Sequence, residues 1–447
     1  MARHHETTSY GAVWRLHFIA GLLVLPVLLL MAATGGAYLF REEIDAAVYG
    51  DLLTAPAATQ TTPSLWLAAA ETAGDGVASR MTIPQDGRSA EVVVRRAGGP
   101  SVRLHLDPAT AHLLGETPPD GAMAWVKALH SLTLLGPQAN LLAELAAGWA
   151  VVLVATGLVL WWPRPDRQAP AGPRGLMRRL HGWTGAFAGT IILFLALTGM
   201  PWSALWGKTV RDWTNAAGWG RPTAPAAAGA WGAPPAKADQ HGGHEDVPMP
   251  WALQNDPLPH GHDHGPGPVD RGMALEAVFA TAERAGLPRP YAISLSSDPA
   301  LAWSVSHMAA RAEDQRTLYV APDGAVVADI GYADFGPAAK AVEWGVATHQ
   351  GRQYGAINRW LMLAGCLAIW ILALSGLAMW WIRRPRGRIG APPRTASPRG
   401  RLVLGLVVIP LALVFPLVGG SLILAVAIDW VLRRLTVRSA APTGANA

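Results

Sequence analysis

Cysteine is nearly absent: the 447 residues include one, Cys366. A single cysteine excludes an intrachain disulfide framework, and its place in an apolar stretch reads as a small core residue rather than a reactive thiol. Charge is scarce too, at 15% of residues against 51% hydrophobic, and mean hydropathy is positive. Globular domains in water carry about 25% charged residues, so this balance points to membrane spans. No Gly-x-Gly-x-x-Gly follows a strand pattern, so the chain offers no dinucleotide fingerprint. The apolar stretches also lack the carboxylates that ion-coupled transport needs. Glu144 stands near the end of one, and Asp429 in the last and least regular.

About 20 apolar residues cross a bilayer core. Four stretches meet that length: 14–40, 141–162, 183–206 and 357–382. A fifth, 402–432, carries Pro410, Pro416 and the Gly419-Gly420 pair, and reads as one kinked span or a hairpin that turns back. Short loops rich in Arg stay in the cytoplasm. Two qualify, 163–182 with Arg164, Arg167, Arg174, Arg178 and Arg179, and 383–401 with seven arginines beginning at Arg383 and Arg384. Residues 1–40 then hold a cytoplasmic N-terminus and the first span, while 41–140 and 207–356 lie outside. Arg433, Arg434 and Arg438 favour the hairpin. Topology accounts for the net charge of +5 without a nucleic acid partner. The first apolar run outlasts a signal-peptide core and reads as a retained helix.

The chain repeats itself. Arg15-Leu16-His17 aligns with Arg179-Leu180-His181, and Thr34-Gly35 and Thr198-Gly199 follow at equal spacing. Trp125 precedes His130 as Trp344 precedes His349. Gly136 and Gly355, Thr156-Gly157 and Ser375-Gly376, and Trp161-Trp162 and Trp380-Trp381 keep the same register. Each unit, 1–165 and 175–386, reads span, outside domain, span, which implies a parallel repeat about an axis along the membrane normal. The outside domains match as well. A helix at 64–73 precedes strands at 78–84, 90–96 and 102–106, then Asp107-Pro108-Ala109-Thr110 and a short strand at 114–116. The second copy has a helix at 275–285, strands near 292–296, 302–307 and 317–320, then Ala321-Pro322-Asp323-Gly324. The expected class is a helical membrane bundle with two small α+β domains and an internal two-fold repeat. The Trp pairs read as interface anchors.

Ionisable residues at a membrane edge are costly and mark function by default. His17 and His181 fall at the cytoplasmic ends of their spans; His130 and His349 fall on amphipathic stretches leading into spans from outside. One such His can simply reach headgroups or water. Four in two symmetric pairs can hold porphyrin iron by axial imidazoles, His17 with His181 near the cytoplasmic face and His130 with His349 near the outer face. This predicts two b-type haems. Hydroxyls at Thr34, Thr156, Thr198 and Ser375 beside glycines suit either a flat macrocycle or tight helix packing. The insert at 207–270 is rich in Gly, Pro and Ala and carries His241, His244, His260, His262 and His264, a metal-gathering set whose composition holds no fixed geometry. Weak metal capture and a metal-loading role both remain open for it.

Arg-Leu-His before a span ending in Thr-Gly, Trp-x4-His, the repeated Trp-Trp and the Asp-Pro-x-Thr turn together resemble the PepSY-associated transmembrane helix family over about 10–432. The resemblance implies PepSY-type folds at 61–120 and 271–336, haem ligation by the four matched His, and a place in the bacterial inner membrane with the PepSY-like domains periplasmic. Some members of that family reduce ferric siderophores in the periplasm. The implied activity is therefore reduction of a ferric siderophore or other ferric chelate, with electrons from a quinol or a separate reductase. Ala321 where the first copy has Asp107, and the His-rich insert, depart from the pattern. A second reading is a non-enzymatic metal-binding or regulatory partner of a transporter or protease, which needs no haem.

Overall fold

The computed structural model describes residues 2–56, 59–162, 172–222, 270–296, 302–385, 390, 392 and 398–439. In chain order the elements begin with α1 (Ala2–Tyr38), α2 (Arg41–Leu53) and α3 (Pro63–Gly74), followed by β1 (Gly76–Ile83), β2 (Ala90–Arg96), β3 (Val102–Leu106) and β4 (Leu113–Thr117). Next come α4 (Ala124–His130), α5 (Asn140–Trp161), α6 (Pro173–Gly199), α7 (Trp206–Ala216) and α8 (Arg271–Arg284). The chain continues with β5 (Tyr291–Ser294), β6 (Trp303–His307), β7 (Arg316–Val320) and β8 (Val326–Gly331), and closes with α9 (Pro337–His349), α10 (Gly355–Arg383), α11 (Pro398–Val414) and α12 (Pro416–Ser439). These divide into a helical unit, Met1–Gly36, Ala128–Val210 and Leu361–Ala447, and a sheet unit, Ala37–Lys127 and Arg211–Trp360.

Among the described residues, four helical segments are long and apolar enough to cross a membrane: Gly11–Tyr38, Pro137–Trp161, Pro173–Trp202 and Gly355–Arg383. Small residues set how closely they pack. Gly21 of α1 meets Leu153 of α5, and Gly36 of α1 meets Leu363 and Cys366 of α10. Gly189 of α6 meets Val154 of α5, while Gly365 of α10 meets Ile191 and Leu195 of α6. Each of α1 and α6 thus touches both α5 and α10, and the four helices close a ring. Large apolar side chains such as Leu23 and Phe187 stay exposed at 74% and 75%, the outward surface expected of a bundle in lipid. At one end Arg383 lies over the rings of Trp14 and Phe18, and Arg384 over Trp381.

The apolar run expected to continue to Trp206 differs in the structure. The span ends at Trp202 and Trp206 opens the separate helix α7. Pro201 has no N–H to extend the ladder. The Glu144 carboxylate accepts N–H bonds from Leu205 and Trp206 and so stabilises the new N-terminus. The last apolar stretch is two shorter helices, Gly400–Val414 and Pro416–Val431, with a break at Phe415 sharp enough to bring Gly419 against the Ala412 carbonyl. Both sides of the break pack on α5, Phe415 and Val418 against Gly148, and Ser421 against Trp149 Nε1 at 3.1 Å. The break at Phe415 is compatible with either sequence alternative, one kinked span or a hairpin.

The sheet unit holds one eight-stranded sheet in the order β4-β3-β2-β1-β5-β6-β7-β8. The sequence expectation of two separate domains is refined by the antiparallel pairing of β1 with β5, from Arg80 opposite Ser294 to Ile83 opposite Tyr291. Strand alternation sends Met81, Ile83, Val92, Val94, Leu104 and Leu106, with Ile293, Val305 and Leu318, to one face. That face shares a single core with Trp66 and Leu67 of α3 and Leu275 and Val278 of α8. Trp66 Nε1 donates to Thr61 Oγ1 and to the Pro108 carbonyl, so the Asp107-Pro108 turn is tied to α3. Asp107 Oδ1 accepts the Ala109 N–H; in the second turn Asp323 does the same for Ala325, which takes over the role that Ala321 cannot fill.

On the opposite face His105 is fully buried, with Nε2 3.0 Å from Thr117 Oγ1 and Nδ1 3.3 Å from Ser89 Oγ. Burial, chiefly, holds this imidazole below the usual 6.5, with Arg103 and Arg88 adding to that and Glu91 opposing. The unfolded chain therefore binds the proton first as pH falls. The stabilisation from the neutral ring is complete above about 6.5 and is lost as pH drops through the lowered folded value. Resistance of the sheet unit to trypsin in urea should accordingly decline between pH 7.5 and pH 5, and decline less in His105→Gln. Trp66→Ala should destabilise the same unit by about 3–5 kcal/mol by the same assay; a loss below about 1 kcal/mol would contradict the shared core.

Candidate functional site

The helical unit encloses three of the four histidines singled out from sequence. His17 of α1 and His181 of α6 face each other across the ring of helices, with ring centroids 6.3 Å apart and planes at 88°. Neither ring stands free. His17 Nδ1 lies 2.9 Å from Thr156 Oγ1 on α5, and His181 Nδ1 lies 3.1 Å from Ser375 Oγ and 3.0 Å from the Leu372 carbonyl on α10. His130, at the end of α4, places Nδ1 3.0 Å from Thr34 Oγ1 on α1. Burial holds the His130 imidazole below its ordinary value, so it is neutral at neutral pH.

Glycine makes room at each contact. A Cβ on Gly157 would come 3.3 Å from His17 Cε1, one on Gly35 3.2 Å from His130 Cε1, and one on Gly376 3.5 Å from His181 Cε1. The hydroxyl and the following glycine therefore form a seat for an imidazole. From sequence these pairs read as either macrocycle contacts or helix packing; the structure gives them a third role. The offsets along the chain were visible, but the helix on which each hydroxyl finds its imidazole was not. Because His130 is seated at Thr34, the two histidine levels are separated along α1 by about 25 Å at about 1.5 Å rise per residue.

His349 is the last residue of α9, half-buried, in the sheet unit. His241, His244, His260, His262 and His264 lie outside the described residues. The Trp pairs sit at helix ends, with Trp161 edge-on to Trp183 at 5.5 Å.

The arrangement constrains what it can bind. Among the described residues no group of three or more His, Cys, Asp or Glu is placed to hold a bare metal ion. A facing pair of imidazoles supplies two donors only, which suits a metal whose other positions are filled by its own macrocycle. With metal–nitrogen bonds of about 2 Å, two imidazole centroids on opposite sides of one iron stand roughly 6 Å apart. The 6.3 Å between His17 and His181 fits that spacing. Rotation about each bond leaves the angle between the planes unconstrained.

Four apolar helices in a closed ring, joined to an eight-stranded sheet with helices on one face, define a multi-pass helical membrane protein. The family model for the PepSY-associated TM region matches residues 14–383, and the chain belongs to that family. No curated protein matches the chain.

Proposed function

We propose that the chain is an inner-membrane oxidoreductase with two b-type haems that moves electrons outward to reduce a ferric siderophore or another ferric chelate. The observation that carries the reading is the facing pair His17 and His181, each ring held by its Nδ1 so that Nε2 is directed away from its support. His130, seated a membrane's depth away at Thr34, supports a second level of ligation. His17 on Thr156 and His181 on Ser375 are equivalent contacts under the sequence alignment of the two halves, and both halves of the sheet run helix then four strands. These matches favour a two-fold repeat. The arginines after α5 and α10 favour the His17 level as cytoplasmic and the sheet unit as periplasmic.

Haem, when bound, supplies reversible one-electron transfer between ferric and ferrous iron. The chain's own part is to hold neutral imidazoles in a low-dielectric bundle, keep water from them, and place two such levels on either side of the bilayer. Donor electrons enter from a quinol or a separate reductase at the inner level. The substrate iron accepts one electron, and ferrous iron leaves hard oxygen chelators more readily than ferric iron does.

Protein purified in detergent should show a b-type spectrum on dithionite reduction, with a pyridine haemochrome count near two per chain, and the reduced form should be reoxidised by ferric chelates. His17→Ala and His181→Ala should each remove one haem, and the double variant no more than either alone. Absence of haem after expression with ample haem supply would overturn the reading and leave the non-enzymatic binding role.

A further inference from the structure

The seats do more than hold the rings. Thr156 Oγ1 lies 2.7 Å from the Val152 carbonyl, Thr34 Oγ1 2.7 Å from the Leu30 carbonyl, and Ser375 Oγ 2.6 Å from the Ile371 carbonyl. Each is the carbonyl four residues back on the hydroxyl's own helix. A hydroxyl has one proton, and a carbonyl can only accept. With that proton donated backward, each Oγ faces its imidazole as an acceptor. The neighbouring nitrogen must then be the protonated one, so His17, His130 and His181 are all Nδ1–H tautomers. The Leu372 carbonyl, which can only accept, requires the same of His181 independently.

We infer that Thr34-Gly35, Thr156-Gly157 and Ser375-Gly376 are positioning pairs that select Nε2 as the ligating nitrogen and raise its basicity. The inference rests on the haem reading above and concerns what tunes it. A ligating imidazole that donates its other N–H to an acceptor is a stronger donor to the metal, and stronger donation favours ferric over ferrous iron. Glycine at the next position lets the ring approach close enough for the bond; at Gly157 and Gly35 even a methyl group would crowd Cε1. Thr198 makes the same backward bond, 2.6 Å to the Phe194 carbonyl, ahead of Gly199.

Thr156→Val keeps the shape of the side chain and removes the acceptor. It should shift the ferrous-to-ferric ratio of one haem about tenfold toward ferrous, an upward change of about 59 mV in a one-electron midpoint, and alter the low-spin ferric EPR signal of that haem. Ser375→Ala, which leaves the Leu372 carbonyl as an acceptor for His181, should move the same haem in the same direction by less, and Thr156→Ser should restore the wild-type values. Should Thr156→Val instead lose that haem while Thr156→Ser keeps it, the positioning role still holds. An unchanged midpoint and EPR signal in both Thr156→Val and Ser375→Ala, at full haem content, would overturn the inference and leave the haem reading intact. Wild-type protein without haem would overturn the haem reading itself.

Discussion

An imidazole inside an apolar bundle has to give its N–H an acceptor, because an unpaired buried donor costs about 1–3 kcal/mol. Most carbonyls of a membrane helix already accept a bond in its own ladder, and a carboxylate is costly to bury there. A threonine or serine that donates back to the carbonyl four residues earlier solves this. The hydroxyl satisfies itself locally and presents a lone pair outward, at Thr34, Thr156 and Ser375 alike. The rest of the bundle follows from the need to bring that lone pair to a ring. Glycine must follow the hydroxyl, the helices must approach at glycine contacts, and His17 and His181 must come from helices that stand across the ring from each other.

The sheet unit obeys a different constraint. Either half would be a four-stranded sheet with one helix, a small core with an open edge. Pairing β1 with β5 removes both inner edges and lets Trp66, Leu275 and Trp303 share one interior. The outer edges of the sheet are β4 and β8.

Much of this was legible in the sequence. The four spans show as apolar runs, and the strands of both halves show as alternation bounded by Gly and Asp-Pro turns. The four histidines show because they recur in register. Other features were hidden for physical reasons. Alternation tells which face a strand buries but not which strand lies beside it, so the β1 to β5 join was invisible. Offsets tell that Thr156 follows His130 at a fixed spacing, yet Thr156 seats His17, a partner set by helix packing. The apolar run through Pro201 to Trp206 gave no sign that Glu144, far away in sequence, starts a new helix there.

The most direct measurement of the central claim is a cryo-EM map of the detergent-purified protein at a resolution that separates a macrocycle from its ligands. The proposed ligation requires a planar density between His17 and His181, with Nε2 of each toward its centre and Nδ1 toward Thr156 and Ser375. Imidazoles packed directly on each other, with no planar density between them in protein expressed with ample haem, would contradict it.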